Sequence, residues 1–588
     1  MPSKRKQRGK QTDVKANPPS GNRWTLVALL CILSIASLLR VADLDGSPPG
    51  LNQDEAANSW NAYCLLKTGR DQHEIPWPIF YMRALGSNRT TPHIYATMPF
   101  QAIGGINVWT TRLPIALAGV FTVFMLYQLG KRLFGVYVGL AAAALLALNP
   151  WHIHLTRVAF GAALCPLIVT LVLYAMAWAC LPVTDEDKSP RVVRAGLAGL
   201  VAGLGFYGYQ AVRIFLPFFI LSIILVGFSR WWSLLKSRRG ALAICAFVLG
   251  FAAAFGPLAW KHVSDPEILK RGNELWAWEQ EDTIGVRISK VLREYHPHFD
   301  PDFLFIGGDR SSVQSIAGWG QFHWYILPLA IVGLLAAAVR CRQSTAARIL
   351  LCWVILYPIG DMLARHYGPH SLRSSPGLCG IILLAAFGTV AGCRWLWQRQ
   401  RFLAKAAAAG LAIAVAVSSV RYGRDFFREY KRTPSVYHSF HVDLQDACKW
   451  LRPRFDRLDA VFCTVKYMNR PYIMILNHLS YDPSQWHADS LNVDMSGNFD
   501  VYHSFGKFIF LYGRPEREQL EELLNNGKPD RVAFIIRPGE LALPGPARVI
   551  RGPGGKSVTW NQPEMLKPSH VIRRPDGTAV LWLCEAVI

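Results

Sequence analysis

Long apolar runs joined by short polar links fill the chain up to Val420, and a polar sequence with short apolar stretches follows. A membrane-crossing helix needs about 20 mostly apolar residues. Eleven stretches qualify: 24–41, 113–129, 136–148, 158–181, both halves of 195–228, 241–260, 324–339, 349–363, 377–391 and 402–420. The 195–228 run is too long for one crossing. Its interruption at Tyr207, Gly208, Tyr209, Gln210 and Arg213 predicts two helices joined by a tight turn. Beyond Arg421 the pattern predicts strands at 460–465, 472–476, 507–511, 532–536 and 579–583, with helices at 443–451 and 516–524. The fold class expected is an α-helical multi-span membrane protein with about eleven transmembrane helices and a C-terminal soluble α/β domain.

Charge gives this pattern a direction. The 588 residues carry 63 Lys and Arg against 40 Asp and Glu, a net +23. The basic residues cluster between apolar runs, which is the mark of cytoplasmic loops and excludes nucleic acid as the partner. Counting from a cytoplasmic N-terminus, the inside connectors hold Lys131 and Arg132; Lys188, Arg191 and Arg194; Arg230, Lys236, Arg238 and Arg239; Arg340, Arg342 and Arg348; Arg394, Arg399 and Arg401. The chain then divides into a basic cytoplasmic tail (1–22), which faces membrane lipids, a transmembrane unit (23–421) with long outer loops 42–112 and 261–323, and an extracytoplasmic domain (422–588). The first run reads as a retained anchor. Short loops favour the plasma (inner) membrane, crossed many times. Eight of the twelve Cys lie in or beside apolar runs, and at most one bridge is expected among Cys64, Cys448, Cys463 and Cys584.

Candidate chemistry begins just after the first run, with Leu51, Asn52, Gln53, Asp54 and Glu55. Two adjacent carboxylates at a membrane surface suit a base or a metal ligand; they also suit a helix N-terminus, where the macrodipole favours negative charge. The segment His296, Pro297, His298, Phe299, Asp300, Pro301, Asp302 could hold a divalent metal, but a hydrated loop with proline-capped turns is the simpler reading, so no metal site is named and no cofactor is assigned, with a divalent metal left as the open alternative.

The Asp54–Glu55 pair resembles the mark of the GT-C glycosyltransferases of the protein O-mannosyltransferase and aminoarabinose transferase superfamily. Further stretches resemble the bacterial branch of that family in the same order: Thr111, Arg112, Leu113, Pro114; Lys131 to Gly135; Asn149, Pro150, Trp151, His152 with Arg157; the tyrosine-rich turn from Gly205 to Arg213; the loop from Phe299 to Phe305; and Pro369, His370, Ser371, Leu372, Arg373, Ser374. At Thr91, Pro92, His93 a Thr stands where the aminoarabinose transferases carry a basic residue before a proline pair.

The resemblance implies an inverting membrane glycosyltransferase, dolichyl-phosphate-mannose-protein mannosyltransferase-like, that takes a sugar from a polyprenyl-phosphate-linked donor on the non-cytoplasmic side. The acceptor would be a protein, lipid or glycan. In that role Asp54 is the candidate base and Glu55 positions it or starts a helix. Arg112, His370 and Arg373 are the first candidates for the donor phosphate, and Arg83, Arg89 and Arg157 the second. The competing reading is a polytopic transporter or lipid-linked glycan flippase. It rests on the similar number of helices, about a dozen; the acids lie mostly outside the spans, and Asp361, the main one near a helix interior, has Arg365 one turn later to neutralise it.

Overall fold

A computed structural model of the chain describes residues 23–184, 189–265, 268, 276–279, 281–364, 368–496, 500–512, 530–540, 548–551, 557–560 and 568–587. The basic tail, Lys188, Arg365 and the predicted helix 516–524 lie outside them.

Each of the apolar runs falls on a helix. The order begins α1 (Arg23–Val41), α2 (Gln53–Thr68), a hairpin of β1 (Tyr81–Ala84) and β2 (Ser87–Thr90), α3 (Pro92–Gly104), α4 (Val108–Phe134), α5 (Val136–Ala147) and α6 (Pro150–Leu155). It continues with α7 (Cys165–Trp178), α8 (Val192–Leu204), α9 (Gln210–Val226), α10 (Phe228–Leu235), α11 (Arg238–Ser264) and α12 (Ile284–Tyr295). Next come α13 (Ile326–Arg340), α14 (Thr345–Leu356), α15 (Ile359–Met362), α16 (Ser371–Ser374), α17 (Leu378–Arg399) and α18 (Arg401–Arg424).

Among the described residues, seven helical stretches are long and apolar enough to cross a membrane: Arg23–Val41, Val108–Phe134, Gly161–Trp178, Arg238–Ser264, Thr345–Met362, Ser371–Arg399 and Arg401–Arg432. The pair α9 and α10, bent by 77°, makes an eighth if taken as one span; α5, α8 with its terminal turn, and α13 are shorter apolar helices. The chain is an integral membrane protein. Large apolar residues stay exposed along these helices, among them Val193, Val339, Phe402 and Val420, as expected where lipid covers them.

Small residues let the spans touch backbone to backbone. A Cβ on Gly199 of α8 would lie 2.0 Å from the Phe247 carbonyl oxygen of α11. Between α13 and α17, a Cβ on Gly333 would meet the Leu384 oxygen at 2.1 Å. Both contacts are the small-residue packing that replaces the hydrophobic drive inside lipid.

Side chains near the helix ends gather several elements at one end of the bundle. Arg40 near the close of α1 donates to the carbonyls of Ala147 (3.0 Å) and Leu146 (3.1 Å), and Tyr422 of α18 donates to Pro150 O (3.1 Å). The sequence after α18 continues from that same end.

The C-terminal part contains α19 (Val442–Leu451), β3 (Ala460–Thr464), α20 (Pro471–Leu479) and α21 (Pro483–Ala488). Its other strands are β4 (Asn492–Asp494), β5 (Val501–Phe505), β6 (Phe508–Leu511), β7 (Arg531–Ile536), the hairpin β8 (Arg548–Arg551) and β9 (Ser557–Trp560), β10 (His570–Arg573) and β11 (Ala579–Val587). Seven of them form one sheet in the order β10-β11-β7-β3-β6-β5-β4, with β3 parallel to both β6 and β7.

Two expectations need correction. The run 472–476 is helical: Pro471 starts α20, and every residue from Pro471 to Asn477 is buried, so the run lacks the alternation that separates a strand from a buried helix. The division at 421 is not a boundary between cores. α18 runs through it to Arg424, and Leu51, Ala56, Trp60 and Cys64 of the first loop share one core with Leu444, Tyr472, Trp486 and Phe508. All twelve cysteines are free thiols.

Candidate functional site

The start of α2 is built by its own sequence. Asn52 caps it, its Oδ1 accepting from the Asp54 N–H at 3.0 Å, and the Glu55 carboxylate accepts in return from the Asn52 N–H at 3.0 Å. Successive helix positions point about 100° apart, so Asp54 and Glu55 meet different surroundings.

Glu55 turns inward to Arg112 of α4. The pair is bidentate, Nε to Oε1 and Nη2 to Oε2 at 2.8 Å each, and both side chains are fully buried. Arg112 Nη1 also donates to Leu44 O (3.0 Å) and Pro48 O (2.6 Å), and Nη2 to Gly50 O (2.7 Å). A guanidinium has five N–H donors, and all are spent. Glu55 takes one further bond from the Ala159 N–H at 2.8 Å. The expectation that Arg112 grips a donor phosphate is therefore corrected: it is a sealed tie between α4, the loop before α2 and Glu55.

Arg157 is corrected for the same reason. It is buried and donates to the carbonyls of Ser47 (2.9 Å), Leu39 (3.0 Å), Ala42 (2.8 Å) and Asp43 (2.7 Å). Its guanidinium also lies over Phe426 and Phe427. Arg83 reaches into the C-terminal part, pairing with buried Asp500 at 2.8 Å while the Gly86 N–H donates to the other Asp500 oxygen. It fastens the hairpin rather than joining the carboxylates of α2.

Asp54 stays accessible, its side chain 39% exposed, with Arg89 Nη2 at 2.9 Å from Oδ1. In the hairpin Arg89 pairs with Met82 and Tyr81 with Thr90, so Arg89 and Tyr81 leave on opposite faces. Behind the Asp54–Arg89 pair, Asn58 Oδ1 and both ring nitrogens of His93 are buried without a hydrogen-bond partner. Burial, reinforced by the Arg89 charge, pushes the His93 imidazole down to about 3.

The link from α6 to α7 connects these groups to the remaining candidates. Ala159 O accepts from Asn58 Nδ2 at 3.0 Å, a Cβ on Gly161 would touch His93, and Ala162 O accepts from Ser375 Oγ just after α16. Arg373 lies in α16, and the Gly360 backbone nests between Arg373 O and Ala211 O. His370 precedes α16, its N–H donating to Asp361 Oδ2 at 2.6 Å; burial moves its imidazole downward.

Sequence reasoning left Arg213 without a role. It lies in the first turn of α9, with Nε on Gly208 O and Nη1 on the Tyr81 hydroxyl, which also bonds His262 Nε2 at 2.8 Å. Its Nη2 is buried without a partner. The available signal was an arginine opening an otherwise apolar helix. Asp361, the main acid near a helix interior, is paired with His298 Nε2 at 3.0 Å at the end of a span. That pairing also disperses the 296–302 cluster, since His298 is buried while His296, Asp300 and Asp302 are exposed. Among the described residues no three His, Cys, Asp or Glu side chains gather as a metal site, and the α2 carboxylates each face an arginine. This donor set does not suit a divalent ion.

The arrangement pairs an accessible carboxylate, Asp54, with one arginine, Arg89, at one end of a helix bundle. The model of the dolichyl-phosphate-mannose-protein mannosyltransferase family matches residues 93–260. The putative mannosyltransferase YycA of Bacillus subtilis (strain 168) is 41% identical over 106 residues, 18% of this chain and 16% of that protein. The chain thus matches about a sixth of that relative's length. ArnT from Cupriavidus metallidurans bound to undecaprenyl phosphate superposes with a TM-score of 0.51 at 14% identity, over 91% of this chain and 98% of ArnT. Its apo form gives 0.51 at 13% identity, over 96% and 98%. Residues 93–260, from His93 to near the end of α11, thus match the mannosyltransferase family model, and most of the chain shares the fold of ArnT.

Proposed function

We propose that the chain transfers a sugar from a polyprenyl phosphate to an acceptor hydroxyl with inversion, at the non-cytoplasmic face of the plasma membrane. Asp54 takes the acceptor proton as the acceptor oxygen bonds to the anomeric carbon. The anomeric carbon–oxygen bond breaks, and the phosphate leaves with the electron pair. The observation that carries this reading is the half-exposed Asp54 carboxylate, held by Arg89 at the edge of the family-matched segment. Arg373 and His370 remain the donor-phosphate candidates, joined by Arg213, whose unspent buried Nη2 donor suits a phosphate oxygen.

Purified full chain in nanodiscs, given polyprenyl-phosphate mannose as the probe donor and a mixed set of peptide, lipid and glycan hydroxyl acceptors, is expected to release polyprenyl phosphate. Arg213→Gln and Arg373→Gln should each raise the donor concentration needed for half-maximal release by about tenfold, the loss of one charge-assisted contact. Normal donor dependence in both would remove them from the phosphate site. If mannose and the other common hexose and pentose donors all fail, the transferase reading fails.

The orientation has its own test. We take the eight candidate spans and three shorter apolar helices as eleven crossings, which puts the two termini on opposite sides, and we assign the N-terminus to the cytoplasm. This agrees with the basic connectors. A reporter fluorescent only in the cytoplasm, fused after Ile588, should stay dark, and one active only outside should work. A bright cytoplasmic reporter would reverse the side on which chemistry is placed.

A further inference from the structure

α12 buries none of its residues, yet its sequence is strongly two-sided. Ile284, Ile288, Val291, Leu292 and Tyr295 fall within an arc of about 100°. Ile284 is 76%, Ile288 54% and Leu292 62% exposed. Arg287, Lys290 and Arg293 occupy the flank and the opposite face, with Lys290 paired to Asp282. Such a stripe left in water would expose apolar area with nothing gained.

Its place in the fold identifies what covers it. The segment runs between two apolar helices, α11 and α13, and both sides of α12 are tied to the end of a span. Tyr295 donates to Ile355 O of α14 at 2.9 Å, the Ala277 N–H donates to Leu363 O at 2.9 Å, and His298 meets Asp361. Trp276 and Trp278 stack at 4.8 Å just ahead of it, residues of the type that concentrate at membrane interfaces. Helix α12 is thus held at the level where a span leaves the bilayer, with cations on its polar side.

We infer that α12 lies in the plane of the membrane surface at the α2 end of the bundle, its Ile284–Ile288–Leu292 stripe in the acyl boundary and Arg293 toward anionic head groups. This placement does not depend on the transferase reading.

A fluorescent amino acid is placed at position 288 or, separately, at 293 of the full chain. Each variant is reconstituted one copy per nanodisc of phosphatidylcholine and phosphatidylglycerol. Lipids brominated near the head group should quench the 288 reporter about threefold more than the 293 reporter, and aqueous iodide should reverse that order. In a further variant, Ile288→Asp with Leu292→Asp, a reporter at 284 should lose lipid quenching while size-exclusion retention and helical circular dichroism stay unchanged. Equal iodide quenching at 288 and 293 would overturn the inference. So would shielding of 288 from both quenchers, which would mean that protein covers the stripe.

Discussion

Asp54→Asn is expected to lower sugar transfer by about 100-fold or more, the scale of a lost general base, while the protein stays folded. The amide keeps an oxygen for Arg89 but cannot take a proton. Loss of fold is a poor alternative explanation. The Asp54–Arg89 pair is partly exposed, and pairs of that kind contribute at most about 1 kcal/mol. Nor is Asp54 the cap of α2, because Asn52 holds that position. Initial rates of transfer from polyprenyl-phosphate mannose, alongside thermal unfolding of the same sample, separate the cases. Near-normal turnover by the Asn variant would sink the assignment of Asp54 as base.

The largest stability effect should come from Arg112. Removing one member of a sealed ion pair strands the other charge, at a cost of about 3–5 kcal/mol. Arg112→Met should therefore leave Glu55 uncompensated and empty the acceptors at Leu44, Pro48 and Gly50. The expected result is a lower unfolding temperature and poor recovery of intact protein. Adding Glu55→Gln should restore part of the loss, because the stranded charge is gone. Donor binding and folding should fall together. An Arg112→Gln protein that unfolds at the parental temperature yet loses donor affinity would return Arg112 to the phosphate.

The contrast between Arg112 and Arg213 shows where sequence stops being informative. Both sit near the end of an apolar run, and hydropathy treats them alike. What distinguishes them is how many donors the surroundings consume: all of Arg112's, three by backbone carbonyls and two by Glu55, but not the Nη2 donor of Arg213. Those carbonyls come from a loop far along the chain from Arg112 and carry no side-chain signature. The apolar runs were legible because lipid imposes a local rule on every residue of a helix. Asp54 and Glu55 were legible as a pair, and their cap was visible in Asn52. Their divergence, one exposed and one sealed, depends on Arg89 and Arg112, partners 35 and 57 positions away. Run 472–476 misled because burial on all sides erases periodicity.

The packing of α2 into the C-terminal core has a consequence for how the protein is made. During synthesis the helix bearing Asp54 emerges long before Leu444, Tyr472, Trp486 and Phe508, against which Leu51, Ala56, Trp60 and Cys64 eventually close. Until the ribosome has delivered that distant sequence, α2 waits with a bare apolar side, even though Glu55 already has Arg112 and Asp54 has Arg89. Chains terminated early would insert their spans yet leave that side of α2 uncovered, so the late-made core acts as a proof of length.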